Sequence, residues 1–210
     1  MTETLDVAGP ERAALLLIEL QHEWLHPEGR LHRLVEPALL AEAADGAGRA
    51  LGAARAAGML VVHAGLRFAP GYPELGAARS GLRAAIRRAG TFAAAGPGST
   101  FWPPFVPRDG ELVVQGRAGA SAFAGSNLDL LLRARRVSQI YLAGLALHVC
   151  VAATAWAAQD LGYEVTVLED ATAAFDRRQH AATLEDVVHH VGERMSVKRF
   201  QGALAPWRAA

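Results

Sequence analysis

The 210-residue chain holds a single cysteine, Cys150, in the stretch AGLALHVCVAAT at residues 143–154. The run IYLAGLAL that leads into it has the apolar character of a buried strand, and the residues after it have a helical pattern. A helix starting near Val149 or Cys150 puts the thiol in its first turn, where unpaired backbone N–H groups and the helix dipole favour a thiolate. That setting suits a nucleophile. The same residue also fits as a small buried hydrophobe.

Two charged residues bear on that choice. Glu19 closes the apolar run ALLLIEL, and a buried carboxylate needs a partner or a raised proton affinity, which makes it a competent proton carrier. Arg117 can be that partner, because a guanidinium stays charged and orients a carboxylate through its planar fork. The pair reads equally as a structural salt bridge or as part of a reaction centre. A nearby Arg117 and the helix start should draw the thiol below its ordinary value near 8.5, with Glu19 opposing them. His63, Tyr72, Trp102 and Phe123 are candidates to line a substrate pocket, each also an ordinary core or loop residue. His148, two residues before the thiol, is a candidate base that strand-to-helix geometry can also point sideways.

These residues need elements to position them. Apolar, β-branched runs at 14–20, 59–63, 111–115, 139–144 and 164–170, with a weaker one at 194–200, read as buried parallel strands. Helical patterns lie between them at about 36–57, 77–89, 126–136, 149–161 and 178–192, several closed by Gly58, Gly90 or Gly162 in C-cap fashion. Such alternation predicts an α/β fold with a parallel sheet covered on both faces, and ligands bind beyond the strand C-termini of such sheets. Glu19, His63, Arg117, Cys150, Glu169 and Asp170 all fall at or beyond those ends. The Pro- and Gly-rich segment from Gly90 to Gly110 reads as an irregular loop.

Composition narrows the class of partner. Lys plus Arg and Asp plus Glu both total 21, so no net charge draws the chain toward nucleic acid or an anionic membrane, and a small molecule is expected. The length suits one domain over residues 1–210. One cysteine cannot make an internal disulfide, the N-terminus lacks the basic and apolar regions of a signal peptide, and no apolar run approaches the ~18 residues of a membrane span. A soluble cytoplasmic protein is expected.

The segments LLLIELQHEWLHPEG, RFAPGYPE, VVQGRAGASAFAGSNLDLLLR and AGLALHVCVAATAWAAQDLGYEVTVLEDATAA, in this order, resemble the isochorismatase-like cysteine hydrolases. The resemblance runs from about residue 14 to 175. It implies a three-layer α/β/α fold with a six-stranded parallel sheet, Rossmann-like in type, and an Asp, Lys and Cys triad at the strand edge. The family's D-x-Q motif stands here as Glu19-Leu20-Gln21. The lysine that precedes an S-A-F motif by four residues is Arg117, ahead of Ser121-Ala122-Phe123. The cysteine of the G-x-x-x-x-x-C-V element is Cys150. Glu in place of Asp pushes the carboxylate toward the thiol by one methylene, and Arg in place of Lys exchanges a point charge for a rigid fork. The resemblance also implies a cis peptide between Leu145 and Ala146, and an oxyanion hole made by the backbone N–H groups of Ala146 and Cys150. Leu147 stands where the family has Thr, which would make that part of the pocket more apolar.

The function so implied is hydrolysis of a C–N bond in a small amide, ureido or carbamoyl compound through a Cys150 acyl-enzyme, with no cofactor and with a homodimer or larger homo-oligomer as the assembly. Two alternatives stand beside it: vinyl-ether hydrolysis with Glu19 as the acid, and a catalytically silent small-molecule binder. No metal is expected: the resemblance implies one only with the Asp-x-His motif of nicotinamidase-type relatives, and here no Asp stands two residues before His63, while His189 and His190, adjacent on a helix, diverge by about 100°. Phosphate-binding G-x-G-x-x-G and Walker motifs are missing.

Overall fold

The computed structural model describes residues 9–207. Residues 1–8, which make up most of the segment where a signal peptide would begin, lie outside the described residues. The elements run in order β1 (Ala13–Ile18), α1 (His22–Leu25), α2 (Pro37–Ala56), β2 (Leu60–Ala64), α3 (Gly81–Ala89), β3 (Leu112–Val113), α4 (Leu128–Ala134), β4 (Gln139–Leu145), α5 (Ala152–Asp160), β5 (Glu164–Ala173), α6 (Arg177–Thr183), α7 (His189–Val191), β6 (Glu193–Met195) and α8 (Val197–Leu204). The strands form one six-stranded sheet in the order β3-β2-β1-β4-β5-β6, and every pairing is parallel.

β1 shows why the sheet is covered on both faces. Its residues are all buried and alternate between two cores, as the period of two in a strand requires. Leu15 and Leu17 join the core built with Leu39, Leu51, Phe200 and Leu204 from α2 and α8. Leu16 and Ile18 join the core built with Leu128 and Leu132 of α4 and with Ala155 of α5. No helix among the described residues is long and apolar enough to cross a membrane.

Most expected elements are present, with two changes. The strand expected over 194–200 ends at Met195, because the Ser196 side chain accepts the N–H of Arg199 and starts α8. The helix expected from about residue 149 starts earlier, as a wide π-helical turn over Leu147–Val151 that runs into α5. Cys150 therefore sits inside that turn rather than at the first residue of an α-helix.

The order of strands reverses at the β1–β4 pair, since β2 and β3 extend one way from β1 while β5 and β6 extend the other. In open α/β sheets such a reversal is where ligands bind, beyond the C-terminal ends of the strands. Gly144 makes this close approach possible: it faces Ile18 across the pair with φ at +116°, and a Cβ there would lie 2.0 Å from the Ile18 carbonyl oxygen. Any side chain at this position would push apart the two strands that lead to Glu19 and Cys150.

Candidate active site

Glu19 follows β1 directly and takes a left-handed backbone, φ +52°, that is uncommon outside glycine. Its N–H donates to the Ala64 carbonyl at 3.2 Å, and its side chain is buried at 1% exposure. Each carboxylate oxygen has a donor. Arg117 Nη2 donates to Oε1 at 2.6 Å, and Trp24 Nε1 donates to Oε2 at 3.0 Å.

Arg117 lies in the loop after β3 and is as deeply buried as its partner. Beyond Glu19 it donates from Nη1 to the Ala64 carbonyl at 2.7 Å, from Nε to the Gly119 carbonyl at 3.2 Å, and from Nη2 to the Ala120 carbonyl. Four of the five guanidinium N–H groups are thereby taken. The arginine ties the end of β2 and its own loop to the carboxylate, a span of acceptors that three ammonium hydrogens could not satisfy.

Glu19 and Arg117 are the charged neighbours that act on the Cys150 thiol, so the structure brings the three residues together beyond the C-terminal ends of the central strands. Behind it, the Thr154 hydroxyl donates to the Cys150 carbonyl at 2.7 Å and accepts the Ala122 N–H at 2.9 Å. This fastens the Ser121-Ala122-Phe123 loop to the turn that carries the thiol. The peptide bond between Leu145 and Ala146 is cis, in the place the resemblance implied.

The thiol's acidity departs from the expectation. Burial, followed by the negative charge of Glu19, pushes Cys150 well above its ordinary value, and Arg117 offsets them only in part. Helix position does not rescue it, because the residue is 4% exposed and lies inside a wide turn. Cys150 thus has a thiol that gives up its proton less readily than a free one, beside a carboxylate.

The residues expected to line a pocket are scattered. His63 is fully buried, with Nε2 2.7 Å from Glu111 Oε2, inside an ion-paired group in which Arg55 Nε meets Glu111 Oε1 at 2.7 Å. It fastens β2 to the start of β3. Leu147, at 0% exposure, packs in the core beneath α4 and α5. Neither presents a surface to a ligand in this structure. The Tyr72 hydroxyl donates to the Thr91 carbonyl at 3.1 Å. Trp102 stands edge-on to His22 and His26, whose rings stack 4.1 Å apart. Phe123 stacks on Tyr163 at 5.9 Å. His148 meets the Phe175 ring edge-on at 4.5 Å, and burial lowers its proton affinity with Asp176 opposing. Among the described residues, no group of three or more His, Cys, Asp or Glu side chains is placed to hold a metal ion.

Trp24, which touches the carboxylate, and Phe175, whose ring lies near that of Trp24, leave no functional signal in the sequence. Trp24 donates to Glu19, and its ring lies 6.4 Å from that of Phe175. Both read as ordinary apolar residues, and only the fold shows where the indole N–H points.

The His63 group sets an acid limit on the fold. At Glu111 burial acts to raise the carboxyl, but hydrogen bonds from Arg55, the Arg108 N–H and His63 outweigh it and hold the group at about 2. Burial lowers His63, with Glu111 opposing. Both groups bind protons more weakly folded than unfolded. Their contribution is complete above pH 6.5, the ordinary histidine value, and is lost as pH falls, the Glu111 share going between 4.5 and about 2. Glu111→Gln should lower the melting temperature at pH 7 and flatten its decline below pH 4.5. A decline as steep as that of the parent chain would show that the group does not set the limit.

Comparison with known proteins bears on this geometry. The model of the isochorismatase domain family matches residues 13–199. The uncharacterized isochorismatase family protein YwoC of Bacillus subtilis is 36% identical over 103 residues, which is 47% of this chain and 54% of that protein. The chain thus spans about half the length of that curated relative. The ureidoacrylate amidohydrolase RutB of Klebsiella pneumoniae is 28% identical over 97% of this chain and 91% of its own. A crystal structure of a cysteine hydrolase from Pseudomonas syringae superposes with a TM-score of 0.80 over 94% of both chains at 22% identity, a likeness of fold.

Proposed function

Because the chain belongs to the isochorismatase family, we propose that it is a cysteine hydrolase acting on the C–N bond of a small amide, ureido or carbamoyl compound. The observation that carries this reading is the buried Glu19–Arg117 ion pair, 2.6 Å between Oε1 and Nη2, placed where both charges act on the Cys150 thiol at the sheet's switch point. The amidohydrolase activity named for a relative that aligns over nearly the whole chain supports the bond type.

In this reading Glu19 takes the thiol proton as sulfur bonds to the carbonyl carbon and the carbonyl π pair moves onto oxygen. The N–H groups of Ala146 and Cys150 stabilise the oxyanion. Collapse re-forms the carbonyl and breaks the C–N bond, and Glu19 returns its proton to the departing nitrogen. Water then adds to the thioester, giving a proton to Glu19, and the second collapse releases the acid while the proton returns to sulfur. Arg117 fixes the carboxylate throughout and moves no proton, since guanidinium does not deprotonate.

The test is a panel of small amides, ureides and carbamoyl compounds, scored by ammonia or amine release and by the mass of the intact protein after acid quench. The expected result is turnover of at least one compound with an acyl adduct mapping to Cys150. Turnover with no adduct under single-turnover conditions, and undiminished in Cys150→Ala, would remove the covalent mechanism and leave acid catalysis by Glu19.

A further inference from the structure

We propose that Trp24 is a positioning residue for Glu19: its indole N–H holds the carboxylate oxygen that Arg117 leaves free, and so sets the pH at which the carboxylate can accept the thiol proton. The inference rests on the reading of Glu19 as the base for Cys150.

The geometry that carries it is a carboxylate gripped from two sides. Arg117, from the loop after β3, donates to Oε1, and Trp24, from α1, donates to Oε2 at 3.0 Å. All three residues are buried, so each bond acts at low dielectric. Glutamate carries one more rotatable bond than aspartate, and Glu19 starts from a strained left-handed backbone. A single contact with Arg117 leaves the carboxylate free to rotate about the Cγ–Cδ bond. The indole supplies the second point that fixes its plane. Trp24 is itself held, with 5% of its surface exposed, its ring against Phe175, and its carbonyl close to His32 Nδ1 at 3.0 Å.

The sign of the effect is set by the group the indole bonds. A donor held against the charged form of a carboxyl favours that form. Removing it makes the carboxylate bind a proton at higher pH, while a base that binds protons more strongly pulls harder on the neighbouring thiol. Loss of the N–H should therefore shift the acid limb of Cys150 reactivity upward without lowering the plateau. A purely structural role would lower the plateau or unfold the protein and leave the limb where it was.

The experiment uses iodoacetamide, which modifies the single cysteine, with intact mass read against time from pH 4 to 10. In Trp24→Phe, which keeps an aromatic ring and removes the donor, the acid limb should move up by about one pH unit, the scale expected for one hydrogen bond to a charged group. Phe175→Leu, which disturbs the same packing without removing a donor, should leave the limb in place. A limb unmoved in Trp24→Phe, or moved equally in Phe175→Leu, overturns the proposal. Glu19→Gln separates the two claims. If it leaves the limb intact, Glu19 is not the base and the functional reading fails; if it removes the limb while Trp24→Phe does not shift it, only the role of Trp24 fails. A second measurement needs no alkylation. Of the four indole N–H signals in the amide correlation spectrum, the one lost in Trp24→Phe should titrate in the parent protein and stop titrating in Glu19→Gln. An indole signal that does not respond to pH also overturns it.

Discussion

Replacing Cys150 by alanine should lower turnover of a confirmed substrate by about 10⁴-fold or more, because the covalent path is removed as a unit and only binding and the oxyanion donors remain. Substrate affinity, read by calorimetry, should change little, since the lost sulfur serves the transition state more than the bound ground state. The substitution also removes a thiol whose pKa burial and then the Glu19 charge push well above its ordinary value, so it takes away no charge that a partner needs and should not unfold the protein. Activity within tenfold of the parent chain would exclude Cys150 as the nucleophile.

The second large effect is on stability. Glu19 and Arg117 form an ion pair in which both side chains are 1% exposed. Removing one member leaves the other buried and uncompensated, which costs about 3–5 kcal/mol. Arg117→Ala also orphans the carbonyl oxygens of Gly119 and Ala120 and leaves that of Ala64 with the Glu19 N–H alone, so its cost should lie at the upper end, with the melting temperature falling by roughly 10 °C or more. Arg117→Lys should recover only part of this, because its ammonium has fewer hydrogens than the acceptors that converge on residue 117. A melting temperature for Arg117→Lys equal to the parent's would mean that the fork geometry is not required. Under the proposed function one residue serves both folding and turnover, so activity measurements on Arg117 variants need to be made well below their melting points.

The sequence made the sheet legible because short apolar runs such as ALLLIEL and QIYLAG recur between longer helical patterns, several of them closed by glycine, and that alternation is the trace of buried parallel strands. It was less clear where a short polar contact decides the outcome. SVKRF has the apolar spacing of a strand or a helix, and one hydroxyl at Ser196 settles it. At the site, the convergence of Glu19, Arg117 and Cys150 could be anticipated from their places at strand ends. The acidity of the thiol could not, because it depends on how completely neighbouring loops exclude water. Nor could the hydrogen bond from Trp24, since an indole that packs and an indole that donates are the same letter. His63 and Leu147 mark the converse limit: both lie next to site elements in sequence, but strand and turn geometry directs them into the interior.

The place of β1 in the sheet has a consequence for how the chain is made. This strand is synthesised first and ends up between β2 and β4, with Leu15 matched to Val61 on one side and to Tyr141 on the other. During translation β2 can pair with it early, but its second edge stays open until residues 139–145 have left the ribosome. For that interval the nascent chain presents a fully apolar strand with an unpaired backbone edge, the kind of surface that templates association with other chains. Expression yield should then depend on chaperone supply and elongation rate more than on the stability of the finished fold.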